Sequence, residues 1–205
     1  MSVIKDFNRK LILITGGSSG IGYALAERFV YFGADVAILA RRKDQLTKAR
    51  NNLIKNTRRY HQKISVISAD VSNKEDLYKA LYEFERSQGV PDYIINSAGI
   101  IEPGLFDQID VDVFDEIMAV NYLGTVYPTK YFLKSMIQRG SGYIINISSM
   151  AGLIGIYGYS TYTPTKFAIK GFSDVIRAEL KPHGINVSIV FPPDTQTPQL
   201  EYENK

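Results

Sequence analysis

Short apolar runs alternate with longer amphipathic stretches along the chain. The runs are LILIT (Leu11–Thr15), DVAILA (Asp35–Ala40), ISVIS (Ile64–Ser68), YIIN (Tyr93–Asn96), YIINIS (Tyr143–Ser148) and NVSIVF (Asn186–Phe191). Each is apolar at most positions, without strict alternation, as in strands buried on both faces of a parallel sheet. Helical spacing of apolar residues predicts helices over Ile21–Phe32, Lys43–Asn56, Lys74–Gln88 and Thr161–Lys181. A longer helical region, Val111–Gln138, has room for two helices. Strand-then-helix alternation predicts an α/β fold, a doubly wound parallel sheet in a single domain over residues 1–205. The chain stops at QLEYENK, soon after the sixth run. A fold of this kind continues there, so its C-terminal part is expected to be missing.

Composition narrows the chemistry. With 205 residues, 45% of them hydrophobic, the chain can bury a core without disulfides. It has no cysteine, which excludes disulfides, thiolate nucleophiles and Cys-bound metals and suits a reducing compartment. With only His61 and His183, no metal site is expected. The formal charge is +3. Most of the basic excess lies in Arg41–Lys63, where nine cations face one acid, Asp44. This reads as a solvated helix surface, with an anionic ligand at its front or a weak pull toward an anionic membrane as the sharper alternatives. Nucleic acid is not an expected partner, because the run holds only Tyr60 for stacking. MSVIKDFNRK lacks the apolar core of a signal peptide, and no apolar run approaches the roughly 18 residues of a membrane span. The chain reads as soluble, with the cytoplasm its expected location.

The first run leads directly into TGGSSGIG, Thr15–Gly22, which opens the first helix. In that context Gly16, Gly20 and Gly22 let the backbone approach a pyrophosphate, and the helix N-terminus offers amide donors and partial positive charge. Ser18 and Ser19 add hydroxyls. This loop makes the predicted sheet Rossmann-like. The second run ends at Ala40, where NAD sites usually place an acid for the ribose 2′-OH; Arg41 and Arg42 follow instead. Guanidinium groups there point to NADPH/NADP, with Arg41 the main ligand of the 2′-phosphate. Asp70, after the third run, can bind an adenine amino group or serve as a helix cap or loop acid. Asn96-Ser97-Ala98-Gly99 follows the fourth run, on the same sheet edge.

The stretch YGYSTYTPTK holds Tyr157, Tyr159, Tyr162 and Lys166. Tyr162 and Lys166 are one helical turn apart, and Pro164 is tolerable only if the helix begins near it. An ammonium beside a phenol lowers the phenol's pKa and equips it to give or take a proton. Tyr-x3-Lys alone is mostly structural; its weight here comes from the dinucleotide loop in the same chain.

The glycine loop, Asn96–Gly99, Asn121, Ser149 and Tyr162-x3-Lys166, in this order and spacing, resemble the short-chain dehydrogenase/reductase superfamily. The resemblance implies that Tyr162 is the general acid/base and that Lys166 lowers its pKa and holds the nicotinamide ribose. Ser149, thirteen residues before Tyr162 and so preferred to Ser148, would bind the substrate carbonyl. Asn121 would kink its helix and hold a water of the proton relay. Tyr157 and Tyr159 are left to packing or the substrate pocket. The implied cofactor set adds Ile21, Val71, Asn96, Ala98 and Gly99 to the groups above, with Pro192, Thr195 and Thr197 against the nicotinamide.

FPPDTQTP, Phe191–Pro198, carries Pro193 where the superfamily usually has glycine, and with KFAIKG resembles 3-ketodihydrosphingosine reductases. That implies reduction of a long-chain ketone by NADPH, peripheral contact with the cytosolic face of a membrane, and a homo-oligomer, dimer or tetramer, built on the long helices. A general carbonyl or 3-oxoacyl reductase, and a non-catalytic NADPH-binding protein, are the competing readings.

Overall fold

The computed structural model describes residues 7–203. Six strands form one parallel sheet in the order β3-β2-β1-β4-β5-β6. They are β1 (Leu11–Thr15), β2 (Asp35–Ala40), β3 (Ile64–Ser68), β4 (Tyr93–Asn96), β5 (Gly142–Ile147) and β6 (Ile185–Val190). The chain starts in the middle, winds outward to β3, then crosses back past β1 to β4. That reversal between β1 and β4 opens a crevice at the C-terminal strand ends, where such folds bind ligands.

Helices α1 (Gly20–Tyr31) and α2 (Lys43–Lys55) cover one face, packing Ala26, Val30, Leu46 and Leu53 against Ile12, Ile14 and Ile38. On the other face lie α3 (Lys74–Gln88), α5 (Gly124–Arg139) and the end of α6 (Thr163–Leu180). Their Leu77, Leu81, Phe132, Met136 and Leu180 meet Leu13, Ile94 and Ile144. The right-handed crossover rule dictates this division, because the winding direction changes after β3. Helix α4 (Val111–Met118) joins α5 through a π-helical segment, Ala119–Leu123, so the long amphipathic region is two helices with a bulge between them.

Burial on both faces holds for β1, β2 and β4 but not for the outer strands. In β3, Val66 is 42% exposed, and in β6 Asn186 and Val190 reach solvent. Continuous apolar sequence there reflects strand propensity more than two-sided cover. After β6 the chain forms a further short helix, α7 (Pro198–Glu203), which the apolar pattern does not predict. No helix among the described residues is long and apolar enough to cross a membrane.

Candidate active site

Loops after β1, β4, β5 and β6 converge on one cleft at the C-terminal sheet edge, and α7 forms its outer wall. Its lining runs from the glycine loop past Gly99, Ser149, Tyr162 and Lys166 to Pro192, Thr195, Thr197, Gln199 and Glu203.

The glycine loop is held by close backbone approach. Gly16 has φ 67°, and a Cβ there would stand 2.8 Å from the Ala98 Cα. Thr15 is fully buried, and its hydroxyl accepts from the amides of Ser97 and Ala98 at 3.1 Å each, tying the loops after β1 and β4 together. Ser19 precedes α1 without capping it, so the amides of the first turn have no side-chain acceptor. A Cβ on Gly20 would meet only the Thr197 side chain, at 3.4 Å. Free amides facing an open cradle suit a pyrophosphate, and the residues present fit a dinucleotide. Ser18, Ser19, Ile21 and Gly22 line the same wall.

Beyond the loop, Arg41 Nη1 lies 3.6 Å from Asp70 Oδ2, with the guanidine side chain 53% exposed. Arg42 is exposed beside it. Asp70 is a loop acid, because Asn73 caps α3. Burial opposes its charge, but hydrogen bonds from the Ser72 hydroxyl (2.7 Å) and amide (2.9 Å), and Arg41, hold the carboxyl below its ordinary range. Val71 turns its side chain into the core against Gly124, leaving only its backbone to the site.

Asn96 differs from the expectation of cofactor contact. Its side chain is buried and donates to Thr129 Oγ1 (2.9 Å) and Asn146 Oδ1 (2.8 Å). Asn146 in turn donates to Ser173. The side chain thus ties β4 to α5 and β5, because it points through the sheet and away from the cleft.

Tyr162 immediately precedes α6, and its carbonyl accepts from the amide of Lys166 at 3.2 Å. Pro164 lies in the first turn, where its missing amide costs nothing. Tyr162 is 8% exposed, and Ser149 and Gln199 line the cleft with it. Ser149 Oγ accepts from Ala151 N at 3.1 Å, which fixes its rotamer toward the cleft. Ser148 instead donates its hydroxyl to the Lys166 carbonyl and is buried, so Ser149 is the serine free for a ligand. Tyr159 lines the cleft, whereas Tyr157 is 88% exposed and neither packs nor lines it.

Lys166 is 4% exposed, donates to the Ile147 carbonyl at 3.3 Å, and has Nζ 5.1 Å from the Tyr162 ring centroid. Burial pushes its pKa down to about 8. Burial also raises the Tyr162 phenol above its ordinary value, more than the polar side chains of Gln199 and Ser149 lower it. The expected lowering by Lys166 is therefore not the dominant influence on the phenol. The ammonium lies against the ring and bonds a carbonyl.

Gln199 and Glu203 were not among the residues expected from sequence. Gln199 Nε2 donates to Glu203 Oε1 at 2.9 Å, and Tyr159 donates to Glu203 Oε2 at 2.9 Å. The signal for them was Thr197-Pro198, a cap-and-N1 pair: Thr197 Oγ1 accepts from Leu200 N.

A family model for the short chain dehydrogenase matches residues 10–205. The chain belongs to the short chain dehydrogenase family. Among curated relatives, it is 36% identical over 195 residues to the 3-ketodihydrosphingosine reductase of Mus musculus and 37% identical to the 3-dehydrosphinganine reductase of Danio rerio. Each match covers 95% of this chain but 59% of the relative, so the chain spans under two thirds of their length. Among solved family structures, levodione reductase aligns over 96% of this chain and 76% of its own, with TM-score 0.91 and 26% identity. A Brucella melitensis 3-oxoacyl-[acyl-carrier protein] reductase with bound NAD aligns over 98% and 76%, with TM-score 0.88 and 27% identity.

Proposed function

We propose that the chain is an NADP-dependent oxidoreductase that reduces a ketone to a secondary alcohol, and that its substrate is 3-ketodihydrosphingosine. The observation that carries the reaction is that Ser149, the buried Tyr162 and the buried Lys166 one turn along line one cleft. A ketone oxygen set between the two hydroxyls accepts from both. Tyr162 then gives its proton to that oxygen as charge develops, and Ser149 stabilises the charge. Lys166, one turn after Tyr162 and lining the same cleft, would hold the ribose hydroxyls of a bound dinucleotide and favours the phenolate left behind. A bound nicotinamide dinucleotide supplies the hydride to the carbonyl carbon. Asn121, in the π segment, positions the Gly99 loop under that site.

Arg41 and Arg42, exposed where an acid would favour NAD, support NADPH. Similarity to 3-ketodihydrosphingosine and 3-dehydrosphinganine reductases over 95% of the chain supports the sphingoid ketone. A long-chain lipid substrate implies work at the cytosolic face of a membrane, and α5 and α6 offer the outer surfaces for a homo-oligomer. Similarity to 3-oxoacyl reductases favours a second reading, a broad ketone reductase that accepts short β-keto thioesters.

The test is NADPH oxidation with 3-ketodihydrosphingosine in detergent micelles, beside acetoacetyl thioester, NADH and a Tyr162→Phe variant. Turnover of the sphingoid ketone that disappears in the variant supports the proposal. Preference for the thioester would transfer it to the second reading.

A further inference from the structure

The proton donor of the cleft is flanked by a carboxylate whose role the reduction itself leaves unassigned. Glu203 receives one neutral donor on each oxygen, Tyr159 OH and Gln199 Nε2, both at 2.9 Å. No cation pairs with it among the described residues. The Tyr159 ring lies 6.2 Å from the Tyr162 ring, centroid to centroid, and both line the cleft with Glu203, so Tyr159 links carboxylate and proton donor. Elsewhere on the lining the charged groups are Asp194, also acidic and on the rim beside Tyr159, and Lys166, whose ammonium is buried against the Ile147 carbonyl. Among the described residues, the substrate side of the cleft is therefore anionic and lacks an exposed cation.

We infer that Glu203 is the specificity residue of this site, binding an ammonium group on the carbon next to the ketone. The inference rests on the sphingoid reading above and names which part of that substrate is recognised. In a 2-amino-3-ketone, ordinary bond lengths hold the nitrogen about 3 Å from the carbonyl oxygen. An oxygen seated against Tyr162 and Ser149 consequently carries the ammonium toward the side of the cleft lined by Tyr159 and Glu203. Gln199 remains a donor to Glu203. Tyr159 keeps the carboxylate aimed, so little ordering is required on binding. The same charge discriminates against ketones attached to phosphate-bearing carriers, by like-charge repulsion with Glu203 and Asp194.

The experiment measures kcat/KM with NADPH for 3-ketodihydrosphingosine and its neutral N-acetyl derivative in the same micelles, for wild type, Glu203→Gln and Glu203→Asp. Wild type should prefer the free amine. Glu203→Gln should lower that preference about tenfold, the worth of one partly buried charge pair, chiefly through KM for the amine. Glu203→Asp should recover part of it. A preference unchanged in Glu203→Gln, whether both activities fall together or neither moves, overturns the inference and leaves Glu203 as support for Tyr159 and Gln199. Equal use of amine and N-acetyl ketone by wild type also overturns it while the sphingoid reading stands. Turnover of acetoacetyl thioester with neither sphingoid ketone reduced would remove the reading itself, and the inference with it.

Discussion

Asn121 pairs in both directions with the peptide of Ile100: its Oδ1 accepts from the amide at 2.8 Å, and its Nδ2 donates to the carbonyl at 3.0 Å. Nδ2 also donates to Thr165 Oγ1, whose hydroxyl donates to the Tyr162 carbonyl at 2.7 Å. One fully buried side chain in the π segment therefore connects the loop after β4 to the residue that starts α6. The π bulge turns Asn121 inward, in keeping with the use of such bulges at functional sites.

Asn121→Ala should accordingly damage the fold and the site together. It leaves the half-buried Ile100 amide and carbonyl without these partners, at about 1–3 kcal/mol for such a group. A loss of about 3 kcal/mol in all lowers Tm by roughly 6–12 °C for a domain of this size. Thermal melting and NADPH turnover measured on the same sample check this. A melting temperature within 1–2 °C of wild type would show that the pairing contributes little.

Tyr162→Phe removes the proton donor and keeps the ring. Loss of general acid catalysis alone costs roughly 10²–10⁴-fold in rate. The expected outcome is a kcat reduced by that range with NADPH affinity, read by fluorescence titration, nearly unchanged. Tyr159→Phe should keep most of the turnover, since that phenol donates to Glu203 and its pKa is pushed up to about 12 by burial and that hydrogen bond.

Lys166 makes the pH dependence of stability unusual. Its pKa falls from 10.5 unfolded to about 8 folded because the ammonium is buried. Below about pH 8 both states carry the proton and the burial penalty is present in full. Between about 8 and 10.5 the unfolded chain binds more protons than the folded one, so stability rises with pH in that window. Tyrosines with raised pKa, Tyr23 and Tyr131 near 12, oppose it only above about 10. Melting of the cofactor-free protein should therefore shift upward from pH 7.5 to 9.5. Lys166→Met, which keeps the stem and removes the charge, should flatten that rise. A wild-type curve already flat over the window contradicts the buried ammonium.

Much of this architecture was legible because its causes are local. The runs at Leu11–Thr15, Asp35–Ala40, Ile64–Ser68 and Tyr93–Asn96 are strands over those same residues, since β-branched and aliphatic residues in short blocks have one economical use between helices. Tyr162 and Lys166 could be paired by helical spacing, whereas the preference for Ser149 over Ser148 came from the resemblance to the short-chain dehydrogenases. Partner-dependent properties were not legible. Asn96 looked like a cofactor residue because it ends a strand at the correct edge, but which way its side chain passes through the sheet depends on Thr129 and Asn146, 33 and 50 residues away. The Tyr162 pKa was judged from Lys166 alone, whereas burial decides it. Helix α7 is six residues long, too short for periodicity, and only its Thr197-Pro198 start announced it.

The cofactor assignment depends on Arg41, which rests loosely against Asp70 at 3.6 Å with over half its side chain in solvent. An exposed pair of that length holds the guanidinium weakly, so it can turn to a 2′-phosphate with two parallel hydrogen bonds. Arg41→Ala should raise the NADPH dissociation constant about 10–100-fold, the loss of one charge-assisted bidentate contact worth about 1.5–3 kcal/mol. NADH, with no phosphate at that position, should bind within about twofold of wild type, since the only partner removed is the exposed Asp70 pair. Fluorescence titration of both nucleotides measures the two constants side by side. Equal weakening of NADPH and NADH would mean that Arg41 acts through the loop at Asp70 and not through the phosphate, and the NADP assignment would then rest on Arg42 alone.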